Sequence, residues 1–198
     1  MTGTQSKDLA ERQAGLSSSK RALLERLRGG GRGDLPAVTI VPRRRDSGPA
    51  PLSFAQQRLW FLDRLDPGHP AYNLVTAVQL QGRLRREALV QGLGEVIRRH
   101  ETLRTAFREI DGEPRQEIAG ELSPRVPDVD LTALAADDRS REARRLASAV
   151  AHRRLDLGRA PLLLARLLRL EEGRHTLLVV LHHAISDGWS FGVFVREI

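Results

Sequence analysis

The stretch from Leu162 to His182 constrains this chain most. LLLARLLRL and RHTLLVVLH are two long apolar runs separated only by Glu171, Glu172 and Gly173. Runs of this length bounded by a turn signal read as strands, and the second is apolar enough to be buried. It ends in two adjacent histidines, after which ISDGWS opens a loop. Side chains alternate across a strand, so His182 and His183 are expected to face opposite ways, one into the sheet and the other into a cleft. That arrangement suits a single general base. It does not suit a zinc site, since only Asp187 stands near enough to add a ligand.

From the residues alone the histidines stay open. His182 reads as a satisfied structural residue, and His183 reads equally as structural or catalytic. Asp187, four residues beyond His183, can return to fix the loop by a hydrogen bond or by pairing with an arginine. Gly188 can adopt backbone conformations closed to other residues and let a substrate approach closely. The 198-residue chain has no cysteine, which removes disulfides, thiolate nucleophiles and thiolate metal sites. Ser186 and Ser190 sit in no nucleophile elbow, so a covalent acyl-enzyme has no support.

The rest of the chain supplies the setting. A helix is predicted over 19–28, with Leu23, Leu24 and Leu27 on one face, followed by GGGRGD and a proline-rich linker. Residues 1–50 therefore read as an extension and the folded part as 51–198. Ser53 and Gln56 fit a capping box opening FAQQRLWFLDRL. YNLVTAVQLQG reads as a strand. Leu84 to His100 reads as a helix burying Leu89, Leu93, Val96 and Ile97. Asp111-Gly112 marks a hairpin, Pro124 to Leu131 a short extended piece, and Asp137 to Arg154 a third helix. The fold class is α+β, with helices packed on a mixed sheet. Net charge is +7, but of 32 basic residues only Lys7 and Lys20 are lysine, and the arginines are interleaved with acids as in DDRSREARR. This is a solvated surface in a GC-rich coding style, and no nucleic-acid partner is expected. No run approaches the roughly 18 apolar residues of a membrane span, and no signal peptide opens the chain, so no membrane partner is expected and the cytoplasm is the expected location.

HHAISDG resembles the HHxxxDG signature of nonribosomal peptide synthetase condensation domains and of their relatives in the chloramphenicol acetyltransferase-like superfamily. LSFAQQRLWFLDRL (52–65) and RRHETLRTAFREIDGEPRQ (98–116) resemble the first two condensation motifs, in the right order. AYNLV and RLDLGRAPLLLARLLRL are similar to such domains too, so the resemblance covers 51–198. It implies a chloramphenicol acetyltransferase-like sandwich, of which only the N-terminal lobe is expected. The later DFGWG-type latch motif does not occur before Ile198, so a truncation, a gene fragment or a lobe completed by a separate C-terminal lobe is expected. It also implies amide-bond formation between a donor thioester and an acceptor aminoacyl thioester, the isolated lobe being inactive. His183 would orient or deprotonate the amine, and Gly188 would offer its N–H to the oxyanion. His182 and Asp187 would be architectural, with Arg58 or Arg104 as the cation pairing with Asp187. The partners would be donor and acceptor peptidyl carrier proteins bearing 4'-phosphopantetheine arms, with no directly bound cofactor and no metal. Residues 1–50 would dock to an upstream synthase subunit. Epimerisation domains and CoA-dependent acyltransferases share the signature and remain alternatives, as does a non-catalytic docking fragment. The heterocyclisation variant is excluded, because it replaces the histidines with aspartates.

Overall fold

Two nine-residue strands far apart in the sequence, 73–81 and 174–182, pair along their whole length. The structure, a computed structural model, describes residues 48–198; the helix expected over 19–28, the linker after it and the docking role of residues 1–50 lie outside them. The elements run β1 (Ala50–Pro51), α1 (Phe54–Leu65), β2 (Asn73–Gln81), α2 (Arg86–Arg99), β3 (Thr105–Ile110), β4 (Glu113–Ile118), β5 (Asp128–Asp130), α3 (Ala136–Ala151), β6 (Leu163–Glu171), β7 (Arg174–His182) and α4 (Gly188–Glu197).

The main sheet has the order β2-β7-β6-β5. β7 is antiparallel to β2, with Asn73 opposite His182, and antiparallel to β6, while β5 runs parallel to β6. Central position explains composition. β7 is covered on both faces, and every residue from Thr176 to His182 is buried, so its sequence is continuously apolar rather than alternating. β2 is an edge strand, and its side chains alternate between half-buried and exposed positions.

The α+β class expected from the sequence holds, with the strands divided between two sheets. β1, β4 and β3 form a second, antiparallel sheet, whose β3–β4 hairpin turns on Asp111 and Gly112 at φ 53° and 78°. Positive φ at both turn residues is what an Asp-Gly pair supplies, and it matches the right-handed twist of the strands.

Helix α1 opens on the expected capping box: Gln56 N–H donates to Ser53 Oγ at 3.2 Å, and Ser53 N–H to Gln56 Oε1 at 3.0 Å. Helix α2 buries Leu89, Leu93, Val96 and Ile97, the four residues its periodicity singles out. Helix α3 ends at Ala151, three residues short of the expected boundary. The Asn73 side-chain amide donates to the Ala151 and Arg153 carbonyls, both at 2.9 Å, so tertiary partners from β2 take over carbonyls that a longer helix would use. Leu93, Ile97, Leu177, Val179 and Leu181 lie in one continuous hydrophobic core with Phe194 of α4. The turn after β7 is built on this core.

Candidate functional site

The sheet ladder carries straight into the site. His182 N–H donates to the Leu162 carbonyl at 3.0 Å and His183 N–H to the Tyr72 carbonyl at 2.8 Å, so both histidine backbones are held from either side. His182 is 1% exposed. Its Nδ1 lies 3.1 Å from the Ala184 backbone N–H. A backbone N–H can only donate, so His182 Nδ1 carries a lone pair and Nε2 the proton. Burial, and then the neighbouring His183, push its pKa down to about 4, and the ring is neutral at physiological pH. The Tyr72 ring lies against it, centroids 6.3 Å apart.

His183 is exposed, and its chemistry is opposite. Its Nδ1 stands 2.8 Å from the Ser186 carbonyl. A carbonyl can only accept, so Nδ1 carries the proton and Nε2 the lone pair. The turn that presents Ser186 is fixed in turn: Ile185 N–H donates to the His182 carbonyl at 3.0 Å, and Gln56 Nε2 donates to the Ala184 carbonyl at 3.2 Å. What the arrangement can do is accept a proton at one outward nitrogen while the other is anchored to backbone.

Asp187 caps α4. Its Oδ1 accepts from the Ser190 N–H at 2.8 Å and from Ser190 Oγ at 2.7 Å. The Ser190 backbone bond, then its hydroxyl, hold the carboxyl below its usual pKa, against a smaller opposing effect of burial. The arginine pairing expected of Asp187 does not form. Arg104 is turned to other partners, donating to the Ala119 carbonyl at 2.6 Å and to Glu101 at 3.3 Å. Arg58 lies exposed on α1 and forms no ion pair among the described residues. The start of α4 supplies the positive partner instead, through its amides.

Gly188 is the first residue of α4. Its backbone is outside the left-handed region, and a Cβ built on it would have nothing within 4 Å. Gly188 therefore does not use a conformation reserved for glycine, the space beside it is open, and its N–H stands at a helix start. Among the described residues no group of three or more His, Cys, Asp or Glu could hold a metal ion, and no helix is long and apolar enough to cross a membrane.

Two further features escaped the sequence. A cavity of about 210 Å³ adjoins the turn, lined by Val96, His100, Ser186, Trp189, Ser190 and Val193 among others. At the far end of α4, Glu197 bonds His100 Nε2 at 2.6 Å, tying that helix to the end of α2. Glu197 sits below its usual pKa, chiefly through that bond.

The model of the condensation-domain family matches residues 46–198. Phosphinothricin tripeptide synthetase PhsC of Streptomyces viridochromogenes is 45% identical over 194 residues, covering 96% of this chain and 18% of its own length. Chondramide synthase cmdD of Chondromyces crocatus is 47% identical over 147 residues, covering 74% of this chain and 4% of its own. Among solved structures, the starter condensation domain of rhizomide synthetase RzmA superposes with a TM-score of 0.70 at 28% identity, over 76% of this chain and 36% of that one. The first condensation domain of the calcium-dependent antibiotic synthetase, in complex with a substrate analogue, gives 0.70 at 26% over the same shares. The chain belongs to the condensation-domain family of nonribosomal peptide synthetases. It spans less than a fifth of the synthetases it matches and about a third of the solved domains.

Proposed function

We propose that this chain contributes the His183-bearing wall of a site that joins a thioester-bound donor acyl or peptidyl group to the amine of an acceptor aminoacyl thioester. Carrier proteins would present both substrates on 4'-phosphopantetheine arms. The observation that carries this reading is the 2.8 Å contact from His183 Nδ1 to the Ser186 carbonyl, which leaves Nε2 with its lone pair in an exposed position.

A free α-amine has a pKa of about 7.7–8.0, so no strong base is needed to prepare it. Nε2 accepts a hydrogen bond from the amine and so aims the nitrogen lone pair at the thioester carbon. As the C–N bond forms, the nitrogen becomes positive and Nε2 takes up the released proton. The donor arm's sulfur then departs as the C–S bond breaks. The Ser186 carbonyl accepts the Nδ1 proton throughout and favours the imidazolium formed in this step. Gly188 N–H, at the positive end of α4, would donate to the oxyanion. His182 stays neutral and keeps a second positive charge away from the working ring.

The test places this sequence in a complete condensation domain with donor and acceptor carrier proteins loaded in advance. Intact-mass analysis of the acceptor carrier then reports the extended thioester. His183→Ala is expected to lower its formation on the order of 10²–10⁴-fold with unchanged melting, as for loss of a general base. Formation at the wild-type rate would overturn the assignment.

A further inference from the structure

The Gln56 side chain bridges the start of α1 and the turn that follows His183. Each end of its amide has a fixed identity. Its Oε1 accepts from the Ser53 backbone N–H at 3.0 Å, so that atom is oxygen. Its Nε2 lies 3.2 Å from the Ala184 carbonyl and 3.3 Å from Gln116 Oε1. Gln116 is oriented in turn by the Pro51 carbonyl, 2.8 Å from its Nε2. Because that carbonyl can only accept, Gln116 must turn its oxygen toward Gln56. Both protons of the Gln56 amide therefore have acceptors.

Ala184 is gripped from two sides. Its N–H goes to His182 Nδ1, and its carbonyl receives Gln56 Nε2. The peptide units flanking it lead directly to the Ser186 carbonyl, which anchors His183 Nδ1. We propose that Gln56 is a positioning residue for His183: by holding the Ala184 carbonyl, it keeps the Ser186 carbonyl against Nδ1 and the lone pair on Nε2. This rests on the reading of His183 as the amine-facing group, but its structural half is measurable without that reading. If the bond is lost, the 184–185 peptide keeps only the Ile185 N–H bond to the His182 carbonyl, and the less firmly held turn lets the Ser186 carbonyl withdraw. The Nδ1 proton then has no dedicated acceptor, and the Nε2–H tautomer becomes populated beside the Nδ1–H form.

Gln56→Glu separates positioning from folding. A carboxylate still accepts from Ser53 N–H, and Ser-x-x-Glu is the commoner capping box. It cannot donate, so it sets an oxygen against the Ala184 carbonyl and another acceptor against Gln116. The experiment uses the complete condensation domain labelled with ¹⁵N-histidine. The His183 signals, assigned by their loss in His183→Gln, report which ring nitrogen is protonated at a pH where imidazole is neutral. The expected result is a single Nδ1–H tautomer in the wild type and mixed tautomers in Gln56→Glu. Condensation turnover should fall about tenfold, as for one partly buried bond broken, with the KM for loaded carriers unchanged and the domain still folded. Gln56→Met, which also lacks the donor, should show the same tautomer change and keeps the test available if the carboxylate disturbs folding. An unaltered Nδ1–H signature in both variants would overturn the proposal. Condensation that survives His183→Ala would instead defeat the catalytic reading and leave the tautomer measurement to decide the role of Gln56.

Discussion

His182 and His183 are neighbours whose imidazoles hold opposite tautomers. The first accepts from a backbone N–H at Nδ1, while the second donates from Nδ1 to a backbone carbonyl. Strand alternation buries one and exposes the other, and the turn 183–186 supplies both partners. One ring is thereby fixed as neutral structure and the other as an outward acceptor.

Stability should depend on His182 through pH. Burial first, and His183 second, lower its folded pKa to about 4, against roughly 6.5 in the unfolded chain. Below pH ~6.5 the unfolded state binds a proton that the folded state refuses. Stability is therefore lost as pH falls from about 6.5 to about 4, by up to about 3 kcal/mol. Asparagine at this position can still accept from Ala184 N–H through Oδ1. Urea midpoints measured across that window should fall more steeply for the wild type than for His182→Asn. Parallel curves would remove His182 as the cause.

Asp187 acts as a helix cap, not as half of a buried ion pair. Asp187→Ala should lower the melting temperature, whereas Asp187→Asn and Asp187→Ser, which can also accept from Ser190 N–H, should recover most of the loss. Arg58→Ala and Arg58→Met should leave it unchanged. Equal destabilisation by Asp187→Ala and Arg58→Ala in thermal melts would point back to a pair between them.

The floor under the site is set by α2. Leu93 is fully buried among core residues, so Leu93→Ala should cost about 2–5 kcal/mol, read as a lower urea midpoint with an unchanged slope. A loss below about 1 kcal/mol would mean that the helix packs loosely there.

What was legible in the sequence follows from what is local. The capping box of α1, the Asp-Gly hairpin and the four buried residues of α2 depend on neighbours within a few positions, and each appears as written in the residues. The end of α3 depended on Asn73, more than seventy residues away, and could not be read from its own pattern. The second sheet was hidden for the same reason, since β1 contributes only two residues and pairs with β4 across the whole of α1 and α2. At the site, residue types pointed to His183 and Asp187. The residues left Asp187 either a hydrogen bond or an arginine, the arginine candidates came with the resemblance, and only the folded chain shows Ser190 and the helix amides serving instead. Ser186 was equally out of reach, because it contributes a carbonyl, which every residue possesses. Gln56 was recognised at its capping end, while its other end meets Ala184 only in the folded chain.

The central claim is that the lone pair on His183 Nε2 meets the acceptor amine. Methylhistidine introduced at position 183 by codon suppression tests it directly, with the methyl group on Nε2, in a complete condensation domain with preloaded carriers. That group takes Nε2 out of use as an acceptor: in the neutral ring the lone pair passes to Nδ1, which faces the Ser186 carbonyl and not the amine. Single-turnover formation of the extended thioester should fall to the level of His183→Ala. Turnover at the wild-type rate with Nε2 methylated would contradict the claim.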